Sequence, residues 1–596
     1  MTAVEALPVA LPVGAAPVLR LTDLHVTFAG GVQAVRGVTL DVRPAEVLAL
    51  VGESGSGKSA LGMAALGLLP PTAQVRGAAL LAGTDMATAD DDARRAARRV
   101  AAGAVFQDPM TSLNPAMRIG DQVLEAAGSR DAALAALAAA GVPDPASRLR
   151  QYPHELSGGL RQRVMIAMAV AGGPQLVVAD EPTTALDVTV QAEVLRLFRR
   201  LCDETGTAVV LVTHDLAVAA QVADRVAVLY GGRLLEVGDA AEVLRAPGHP
   251  YTAGLLASRI GPSTRRDLPL ATLPGEPPDP RSPEPGCAFA PRCGLAEDRC
   301  RTALPELHPS PRHAGADACV RSRELVQVRL RDVGTWPETA SRRADGPALE
   351  LTGITKAFGR RKARREVLQG VSLVVPRGGS VALVGESGCG KTTTLRIAVG
   401  LENADGGTVV LAPGDRPQLV PQDAGASLTP WMSIGELLEE RLRVEDLSSA
   451  ARRTAAREAL ALVGLPLEVA AAKPRQLSGG QRQRVALARA VVVPPTLLAC
   501  DEPISALDVS LAAVVLNLLG RLRRELDLAL LFVTHDLAAA RLVSDEVAVM
   551  DAGRIVEQGP SEQVLRDPQA DLTRRLLAAV PTVAPAPRAP APRERS

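Results

Sequence analysis

Two glycine-rich segments place a lysine and a hydroxyl group where phosphates could be bound. They read GESGSGKS at 52–59 and GESGCGKT at 385–392, and each lies between an apolar run and a helix-like stretch. Glycines let backbone N–H groups turn toward phosphate oxygens, and the helix start adds partial positive charge. A chance glycine-rich turn would explain one such match but not two. The residues expected to contact a nucleotide here are Gly52, Ser54, Gly55, Gly57, Lys58, Ser59, Ala60, Gly385, Ser387, Gly388, Gly390, Lys391, Thr392 and Thr393.

An acidic pair follows a second apolar run in each half of the chain. The pairs are Asp180–Glu181 and Asp501–Glu502, and each aspartate lies 23 positions after the serine of an LSGG segment. An aspartate at a strand end can hold the Mg²⁺ shell, together with the Ser or Thr hydroxyl of the glycine loop. The adjacent glutamate can polarise an attacking water. An acidic pair in a solvated turn would explain one copy, but not the same spacing twice. We therefore predict ATP hydrolysis, with Glu181 and Glu502 as catalytic residues.

These motifs belong to an internal repeat. LSGGLRQR at 156–163 returns as LSGGQRQR at 477–484, and both the acidic segment and VTHDLA recur with the same separation of 321 positions. The glycine loops are 333 positions apart, so the first copy is 12 residues longer between its glycine loop and its LSGG. Two copies of one domain are expected, over 17–260 and 347–575. Alternating strand and helix patterns predict an α/β fold with P-loop NTPase domains in tandem, each a mainly parallel sheet with helices and a helical subdomain.

The LSGG segments separate this chain from other P-loop ATPases. Over nearly all of both repeats it resembles the nucleotide-binding subunits of ABC transporters. The resemblance implies two domains facing each other head to tail, so that the glycine loop of one and the LSGG of the other enclose one ATP. It therefore implies that the two domains of this chain pair with each other. Lys58, Glu181 and His214 would work with Ser478. Lys391, Glu502 and His535 would work with Ser157.

The resemblance also assigns roles to single residues. Phe28 and Phe358 would lie against adenine, with an ordinary core position as the alternative. His214 and His535 would be the switch histidines, in the catalytic set. The remaining residues are the LSGG residues Ser157, Gly158, Gly159, Ser478, Gly479 and Gly480, the D-loop ends Asp187 and Asp508, and the Mg²⁺-binding residues Ser59, Thr392 and the Q-loop glutamines Gln107 and Gln422.

Both copies retain the lysine, the glutamate and the histidine, so two competent sites are expected. Two departures are small. Leu160 stands where the second copy has Gln481, and Cys500 stands where an aliphatic residue is usual. Neither is expected to touch a catalytic atom.

Further segments narrow the resemblance to a subfamily. QDPMTSLNP, which begins at Gln107, and GHPYTAGLL at 248–256 resemble the paired ATPases of dipeptide, oligopeptide and nickel importers. The chain looks like two such subunits fused end to end. A cysteine-bearing C-terminal extension of that family would occupy 261–330. A linker at 331–346 and a disordered Pro/Ala/Arg tail at 576–596 complete the expected organisation.

Four of the seven cysteines fall in this Cys-rich join with the spacing C-x5-C-x6-C-x18-C. In a reducing cytoplasm such a cluster suggests metal ligation before disulfides. Zinc and an iron–sulfur cluster are both open on residue type, although the C-x2-C pairs of many zinc sites are missing. The resemblance implies a 4Fe-4S cluster, with zinc as the alternative and unligated thiols as a third possibility. The ligands would be Cys287, Cys293, Cys300 and Cys319.

Composition limits the setting in which the chain works. Lys+Arg and Asp+Glu are both 66 and aromatic residues are 2%, which argues against a nucleic-acid partner. No run reaches the roughly 18–20 apolar residues of a membrane span, and the N-terminus lacks the basic region of a signal peptide. We expect a peripheral protein at the cytoplasmic face of the cell membrane. Its expected partners are two transmembrane permeases and an extracytoplasmic substrate-binding protein.

The cargo is expected to be di- or oligopeptides, with nickel or glutathione-like cargo as alternatives. Three other classes fit less well. Ribosome-associated ABC ATPases join their domains by a long charged helical linker, whereas this join is rich in Pro and Cys. Excision-repair ABC ATPases carry large insertions between the glycine loop and the LSGG. Exporters usually carry their membrane segments in the same chain.

Overall fold

In the computed structural model of the protein, the described residues are 16–183, 186–261, 263–327, 335–336, 346–359, 364–413, 416–505 and 507–580. Most of the predicted linker and the predicted tail beyond residue 580 lie outside them, as do three D-loop residues, Thr184, Ala185 and Ala506.

The first half of the chain builds two sheets. Strands β3, β7 and β8 are buried along their whole length, as expected for apolar runs covered on both faces of a parallel sheet. The strands are β1 (Leu19–Phe28), β2 (Val32–Val42), β3 (Val47–Val51), β4 (Gln74–Leu81), β5 (Thr84–Asp85), β6 (Ala102–Val105), β7 (Leu176–Asp180), β8 (Ala208–Thr213), β9 (Arg225–Tyr230), β10 (Arg233–Asp239), β11 (His308–Pro309) and β12 (Ala316–Asp317).

Strands β6, β7, β8, β3 and β9 pair in parallel in that order, and β10 closes the parallel part antiparallel to β9. A separate antiparallel sheet has the order β2-β1-β4-β5. The helices are α1 (Lys58–Ala65), α2 (Asp91–Ala101), α3 (Pro109–Ser112), α4 (Ile119–Ala127), α5 (Arg130–Ala139), α6 (Pro145–Arg148), α7 (Gly158–Val170), α8 (Val188–Thr205), α9 (Leu216–Val222), α10 (Ala240–Arg245), α11 (Pro250–Ala257) and α12 (Asp298–Thr302). Helices α4, α5 and α7 pack on one another as a helical layer.

The second half repeats this plan. The parallel strands have the order β17-β18-β19-β15-β20, with β21 antiparallel at the edge, and the antiparallel sheet has the order β14-β13-β16. The strands are β13 (Pro347–Phe358), β14 (Arg365–Pro376), β15 (Ser380–Gly385), β16 (Gly406–Leu411), β17 (Gln418–Val420), β18 (Leu497–Asp501), β19 (Ala529–Thr534), β20 (Glu546–Asp551) and β21 (Arg554–Pro560). The helices are α13 (Lys391–Ala398), α14 (Ala424–Ser427), α15 (Ile434–Arg441), α16 (Ser449–Leu462), α17 (Gly479–Val491), α18 (Val509–Glu525), α19 (Leu537–Val543), α20 (Ser561–Arg566) and α21 (Asp571–Ala579). The predicted tandem α/β architecture is confirmed.

Helix α21 corrects one expected boundary. It runs to Ala579, whereas the second domain was expected to end at 575, because Leu572 and Leu576 are buried in the second-half core. The stretch 576–579 is therefore helical and not part of the expected disordered tail.

The cysteine-bearing segment, expected as a C-terminal extension over 261–330, contains two short strands of its own. Strand β12 pairs antiparallel with β10, and β11 pairs with β12, so the segment extends the first-half sheet at its edge. Phe289 packs against Tyr230 and Tyr251, with ring centroids 5.4 Å apart in both pairs. These buried aromatic contacts supply the apolar core that the composition did not reveal.

The two halves also pack directly on each other. Val188, at the start of α8, and Leu270, in the extension, are buried in the core cluster of the second half. Asn517 of α18 exchanges two hydrogen bonds with the Leu270 backbone, at 2.7 and 2.9 Å. The extension therefore lies between the first sheet and the second half.

Candidate nucleotide sites

Each glycine loop connects the end of a buried strand to a helix that begins at the motif lysine. The loop between β3 and α1 passes so close to a neighbouring strand that a Cβ at Gly57 would lie 2.2 Å from the Ala34 carbonyl oxygen, and its φ is +100°. Only glycine fits that position. Lys58 Nζ donates to the carbonyls of Gly52 and Glu53, both at 2.8 Å. The loop thus holds the ammonium group beside its own backbone.

The second loop has the same arrangement. Lys391 Nζ donates to the Gly385 carbonyl at 2.8 Å and to the Glu386 carbonyl at 2.9 Å. Gly390 precedes α13 in the left-handed region, with φ +113°. Both lysines are buried at the foot of their loops.

The hydroxyl after each lysine meets the aspartate that ends another strand of the same parallel sheet, with one strand between the two. Ser59 Oγ donates to Asp180 Oδ1 at 3.0 Å, and Thr392 Oγ1 donates to Asp501 Oδ1 at 3.1 Å. Burial raises the pKa of both carboxyl groups. A hydroxyl and a carboxylate in contact are hard oxygen donors of the kind that Mg²⁺ accepts.

The next residue in each half has an unusual backbone. Glu181 and Glu502 both have φ +45°, a conformation that is strained for residues other than glycine. Each glutamate still forms a backbone hydrogen bond to the adjacent strand. The Glu181 N–H donates to the Val212 carbonyl, and the Glu502 N–H donates to the Val533 carbonyl. The same strain at the same place in both copies is the kind that functional sites retain.

The glutamate side chains gather the Q-loop and switch residues. In the first half, Gln107 Nε2 donates to Glu181 Oε2 at 3.0 Å, and His214 Nδ1 lies 3.2 Å from Glu181 Oε1. In the second half, Gln422 Nε2 donates to Glu502 at 3.3 Å, and His535 Nδ1 lies 3.2 Å from it. Residues far apart in sequence thus meet around one carboxylate in each copy.

These contacts shift the pKa values of the two histidines and of Glu502. Burial alone disfavours a charged imidazole, but the hydrogen bond and negative charge of the partner glutamate raise the pKa of His214 and His535 overall. Burial tends to raise the pKa of Glu502, but the His535 hydrogen bond and charge lower it overall. The geometry therefore favours an anionic glutamate beside a cationic or hydrogen-bonded histidine.

The LSGG serines start helices. Ser157 Oγ accepts from Leu160 N at 3.4 Å at the start of α7, and Ser478 Oγ accepts from Gln481 N at 3.2 Å at the start of α17. Only Gln481 returns a bond, accepting from Ser478 N at 3.0 Å, so Leu160 removes one side of this capping box in the first copy. Among the described residues, the hydrogen bonds of both serines stay within their own helix starts. Gly158, Gly159, Gly479 and Gly480 form the first turns beside them.

The D-loop aspartates lie where the halves meet. Asp508 caps α18 and also accepts from Ser54 N of the first glycine loop at 3.2 Å. Asp187 caps α8 and, with Leu186, lines a cavity of about 210 Å³ whose other walls include Lys391, Thr392 and Glu502. Each D-loop end therefore faces the glycine loop of the opposite half, one in direct contact and one across a cavity.

The two phenylalanines differ in exposure. Phe28 is half-buried and packs against the core of the first half. Phe358 is 44% exposed, and Lys356 Nζ lies 5.2 Å from its ring centroid. The adenine role predicted for both stays a prediction. Cys500, the other departure noted in the sequence, is fully buried in the core of the second half.

Comparisons with known proteins agree with this geometry. The profile of the ABC transporter family matches residues 35–184 and 368–505, and that of the oligopeptide/dipeptide transporter C-terminal region matches 235–300. An oligopeptide transport ATP-binding protein, OppD of Mycobacterium tuberculosis, is 41% identical over 96% of this chain and 99% of its own length. The peptidoglycan transport ATP-binding protein YejF of Agrobacterium fabrum is 37% identical, over 94% of this chain and 96% of its own. The glutathione import ATP-binding protein GsiA of Salmonella typhimurium is 36% identical, over 95% and 90%.

The chain belongs to the ABC transporter ATP-binding family. Both of its ABC domains lie in one polypeptide, and the alignments with OppD and YejF cover both of them, over 96% and 94% of this chain. The predicted enzyme class is confirmed: the family hydrolyses ATP in coupling to transport. Within the described residues, no helix combines the length and apolarity needed to cross a bilayer.

The four cysteines of the extension line one small cavity of this ABC protein. Cys287, Cys293, Cys300 and Cys319 all lie on its wall, and its volume is about 20 Å³. Burial raises the pKa of Cys287 to about 11 and that of Cys319 to about 12. Among the described residues, however, no three His, Cys, Asp or Glu side chains form a group that could hold a metal ion. The four cysteines thus share the wall of one cavity, but the described side chains are not grouped as metal ligands, and the predicted metal site stays a prediction.

Sequence reasoning missed a group of residues around the first glycine loop. Glu53 is 2% exposed and forms an ion pair with Arg292 of the extension, and its N–H donates to the Tyr251 hydroxyl at 2.7 Å. The only signal in the sequence was a charged residue inside an otherwise Gly/Ser loop. That signal was uninformative, because the second loop has the same glutamate.

Proposed function

We propose that the chain is the ATP-hydrolysing subunit that energises an importer of di- or oligopeptides. The observation that carries this proposal is the extension: residues 235–300 match the oligopeptide/dipeptide transporter C-terminal region, and in the structure they pack onto the first glycine loop. The relative at 41% identity is named for oligopeptide transport, which supports the same cargo class. Glutathione-like cargo is the second candidate, because a relative named for glutathione import is 36% identical over 95% of the chain. Nickel stays an alternative without support of this kind.

We propose that the two glycine loops bind ATP in the roles expected from the sequence. Lys58 and Lys391 would bind phosphate oxygens, and Ser59 with Asp180 and Thr392 with Asp501 would hold Mg²⁺. Mg²⁺, when bound, supplies charge that stabilises the transferring phosphoryl group. Glu181 and Glu502 would orient and deprotonate the attacking water, since their carboxylates already gather a glutamine and a histidine.

We propose further that the two ABC domains of one chain pair head to tail, with Ser478 completing the first site and Ser157 the second. Support comes from the D-loop ends, because Asp508 touches the first glycine loop and Asp187 faces the second. Enclosing ATP between the halves would exclude water and complete each site.

The proposed setting is the cytoplasmic face of the cell membrane, where the protein would bind two transmembrane permeases that receive cargo from an extracytoplasmic binding protein. It rests on the family and on relatives whose names describe transport and import. No role for nucleic acid is proposed.

For the extension, we propose that the four cysteines ligate a 4Fe-4S cluster, with zinc as the alternative. Support is that all four cysteines line one cavity, and that the family resemblance implies a cluster there. Zinc and a cluster both need closely spaced thiolates, and no three His, Cys, Asp or Glu side chains are grouped as metal ligands among the described residues. Anaerobic purification with iron, acid-labile sulfide and zinc analysis tests this. Stoichiometric iron and sulfide that are lost in Cys293→Ser would support a cluster. Zinc without iron or sulfide would replace the cluster proposal with a zinc site.

The importer is tested by purifying the tagged chain from gently solubilised membranes and identifying what accompanies it. Two polytopic permeases and a binding protein that takes up labelled peptides are the expected result. Recovery of ribosomal or DNA-repair proteins without a permease would overturn the importer. A binding protein that takes glutathione but no other peptide would move the cargo to the second candidate.

A further inference from the structure

We propose that Arg292 is a positioning residue through which the extension acts on one of the two nucleotide sites, that of the first glycine loop. The inference rests on the nucleotide roles proposed above. It states which of the two sites responds to the extension. The shared motifs do not distinguish the two sites in this respect.

The contact between Arg292 and Glu53 is bidentate and buried. Arg292 Nη1 donates to Glu53 Oε2 at 2.6 Å and Nη2 donates to Oε1 at 3.2 Å, with the two side chains 5% and 3% exposed. The guanidinium is also fixed by the Tyr230 hydroxyl at 3.0 Å and by the Pro274 carbonyl at 2.7 Å. Loss of the arginine would leave a buried carboxylate without its charge partner, which is far more disruptive than loss of an exposed ion pair.

Glu53 is the junction between three parts of the molecule. Its carboxylate accepts from the Ser510 hydroxyl at the start of α18, in the second half. Its N–H is bound by Tyr251 of α11, and its carbonyl accepts from Lys58 Nζ, the group expected at the phosphates. A displacement of Arg292 would therefore reach both the phosphate-binding lysine and the contact between the halves.

The second glycine loop has no such connection. Glu386 is half-buried, and within the described part of the chain its side chain makes no ion pair or hydrogen bond. The positions that correspond to Tyr230 and Tyr251, 321 residues later, are Asp551 and Leu572. Ser510 and its first-half counterpart, Thr189, both donate to the aspartate two positions earlier. Among the described residues, Ser510 also donates to the glutamate of the opposite glycine loop, whereas Thr189 does not. The connection is thus built at one site by residues outside the shared motifs.

Two consequences follow for nucleotide binding. The first site should weaken when the Arg292–Glu53 pair is broken, because the loop that holds Lys58 loses its support. The second site should change little, because no described residue holds the Glu386 side chain in the same way. A role of Arg292 in fold stability alone would instead affect both sites in parallel with unfolding.

The test measures binding of a fluorescent ATP analogue to the full chain with one site disabled at a time. Lys391→Ala isolates the first site and Lys58→Ala isolates the second. Arg292→Met should weaken binding at the first site by about five- to tenfold, and Arg292→Lys should recover part of that loss because it retains the charge. Binding at the second site should change by less than about twofold.

A double-mutant cycle tests whether Arg292 acts on the first site through Glu53. In the Glu53→Gln background, Arg292→Met should have little further effect at the first site, since Arg292 acts through Glu53. Glu386→Gln is the matched control and should weaken the second site less than Glu53→Gln weakens the first. If Arg292→Met fails to fold, Arg292→Lys and Ser510→Ala carry the same test.

Equal loss at both sites, additivity with Glu53→Gln, or an unchanged first site would overturn the inference while leaving the nucleotide roles intact. Absence of analogue binding in both single-site backgrounds, with the unaltered chain folded, would overturn the nucleotide roles and this inference together.

Discussion

Glu53 and Glu386 occupy the same place in two nearly identical glycine loops. Glu53 is buried in an ion pair, whereas Glu386 is half-buried. The second difference is at the D-loops. Asp508 bonds directly to the first loop, whereas Asp187 faces the second across a cavity of about 210 Å³. Around Glu181 and Glu502, in contrast, the two halves agree closely. The contacts of the catalytic glutamates are thus alike in the two halves, whereas the contacts that surround the two glycine loops differ.

A repeated motif in this chain fixes its own local geometry and little else. Loop conformation, the lysine bonds and the strained glutamates follow from residues that both copies share. The environment of the loop comes from Arg292, Tyr230 and Tyr251, which only the first copy possesses. Two sites with one chemistry can therefore differ in what controls them.

The largest effect is expected from removing both catalytic carboxylates. Glu181→Gln with Glu502→Gln should lower ATP turnover of the purified chain by about 10²-fold or more while ATP binding persists, because the water loses its base. The two single variants, measured beside the double, show how the turnover divides between the sites. Normal turnover in the double variant would remove both glutamates from the mechanism.

A moderate effect is expected from Tyr251→Phe, which affects only the first site. It leaves the buried Glu53 N–H without its 2.7 Å acceptor, at a cost of about 1–3 kcal/mol in the free energy of unfolding. Denaturant unfolding of the full chain measures the loss. Tyr152→Phe, a half-buried tyrosine in the same half, is the control and should cost less than about 0.5 kcal/mol. Equal costs would mean that the Tyr251 bond does not support the loop.

A smaller, pH-dependent effect should be shared by the two sites. The partner glutamates raise the pKa of His214 and His535, so each pair contributes stability that is fully present below the ordinary histidine pKa of about 6.5. That contribution is lost as pH rises through the raised pKa of the folded state. Melting temperatures of His214→Gln and His535→Gln should therefore differ most from the unaltered chain at low pH, and less as pH rises. A difference that grows with pH would contradict the charged pairing.

The smallest effect concerns the difference between Leu160 and Gln481 in the first turn of the LSGG helices. Gln481→Leu gives the second copy the residue of the first and removes the acceptor for Ser478 N, which should cost about 0.5 kcal/mol of unfolding free energy. Denaturant titration detects a loss of that size in matched preparations. A larger loss would show that Gln481 does more than cap its helix.

Much of the site was predictable because its residues lie in short, closely spaced motifs. The order of strand, glycine loop and helix indicated where Lys58 and Ser59 would lie. The pairing of Ser59 with Asp180 follows because parallel strands of one sheet end at the same edge, even with β8 between β3 and β7. The meeting of Gln107, Glu181 and His214 was expected only through the family resemblance. Glu53 could not be interpreted, because its partners lie about 200 to 450 positions away.

The amino-acid sequence was enough to predict two ABC ATPase copies, the starts of their glycine loops, and the acidic pair that follows an apolar strand in each copy. Those features depend on local periodicity and on residues within one motif. The packing of the whole chain was needed to show that the cysteine-bearing segment is a sheet edge with an aromatic core, and that Arg292 contacts the first glycine loop. The reason is physical: burial and ion pairing depend on which distant surfaces pack together, and identical motifs carry no information about the different surfaces against which they are placed.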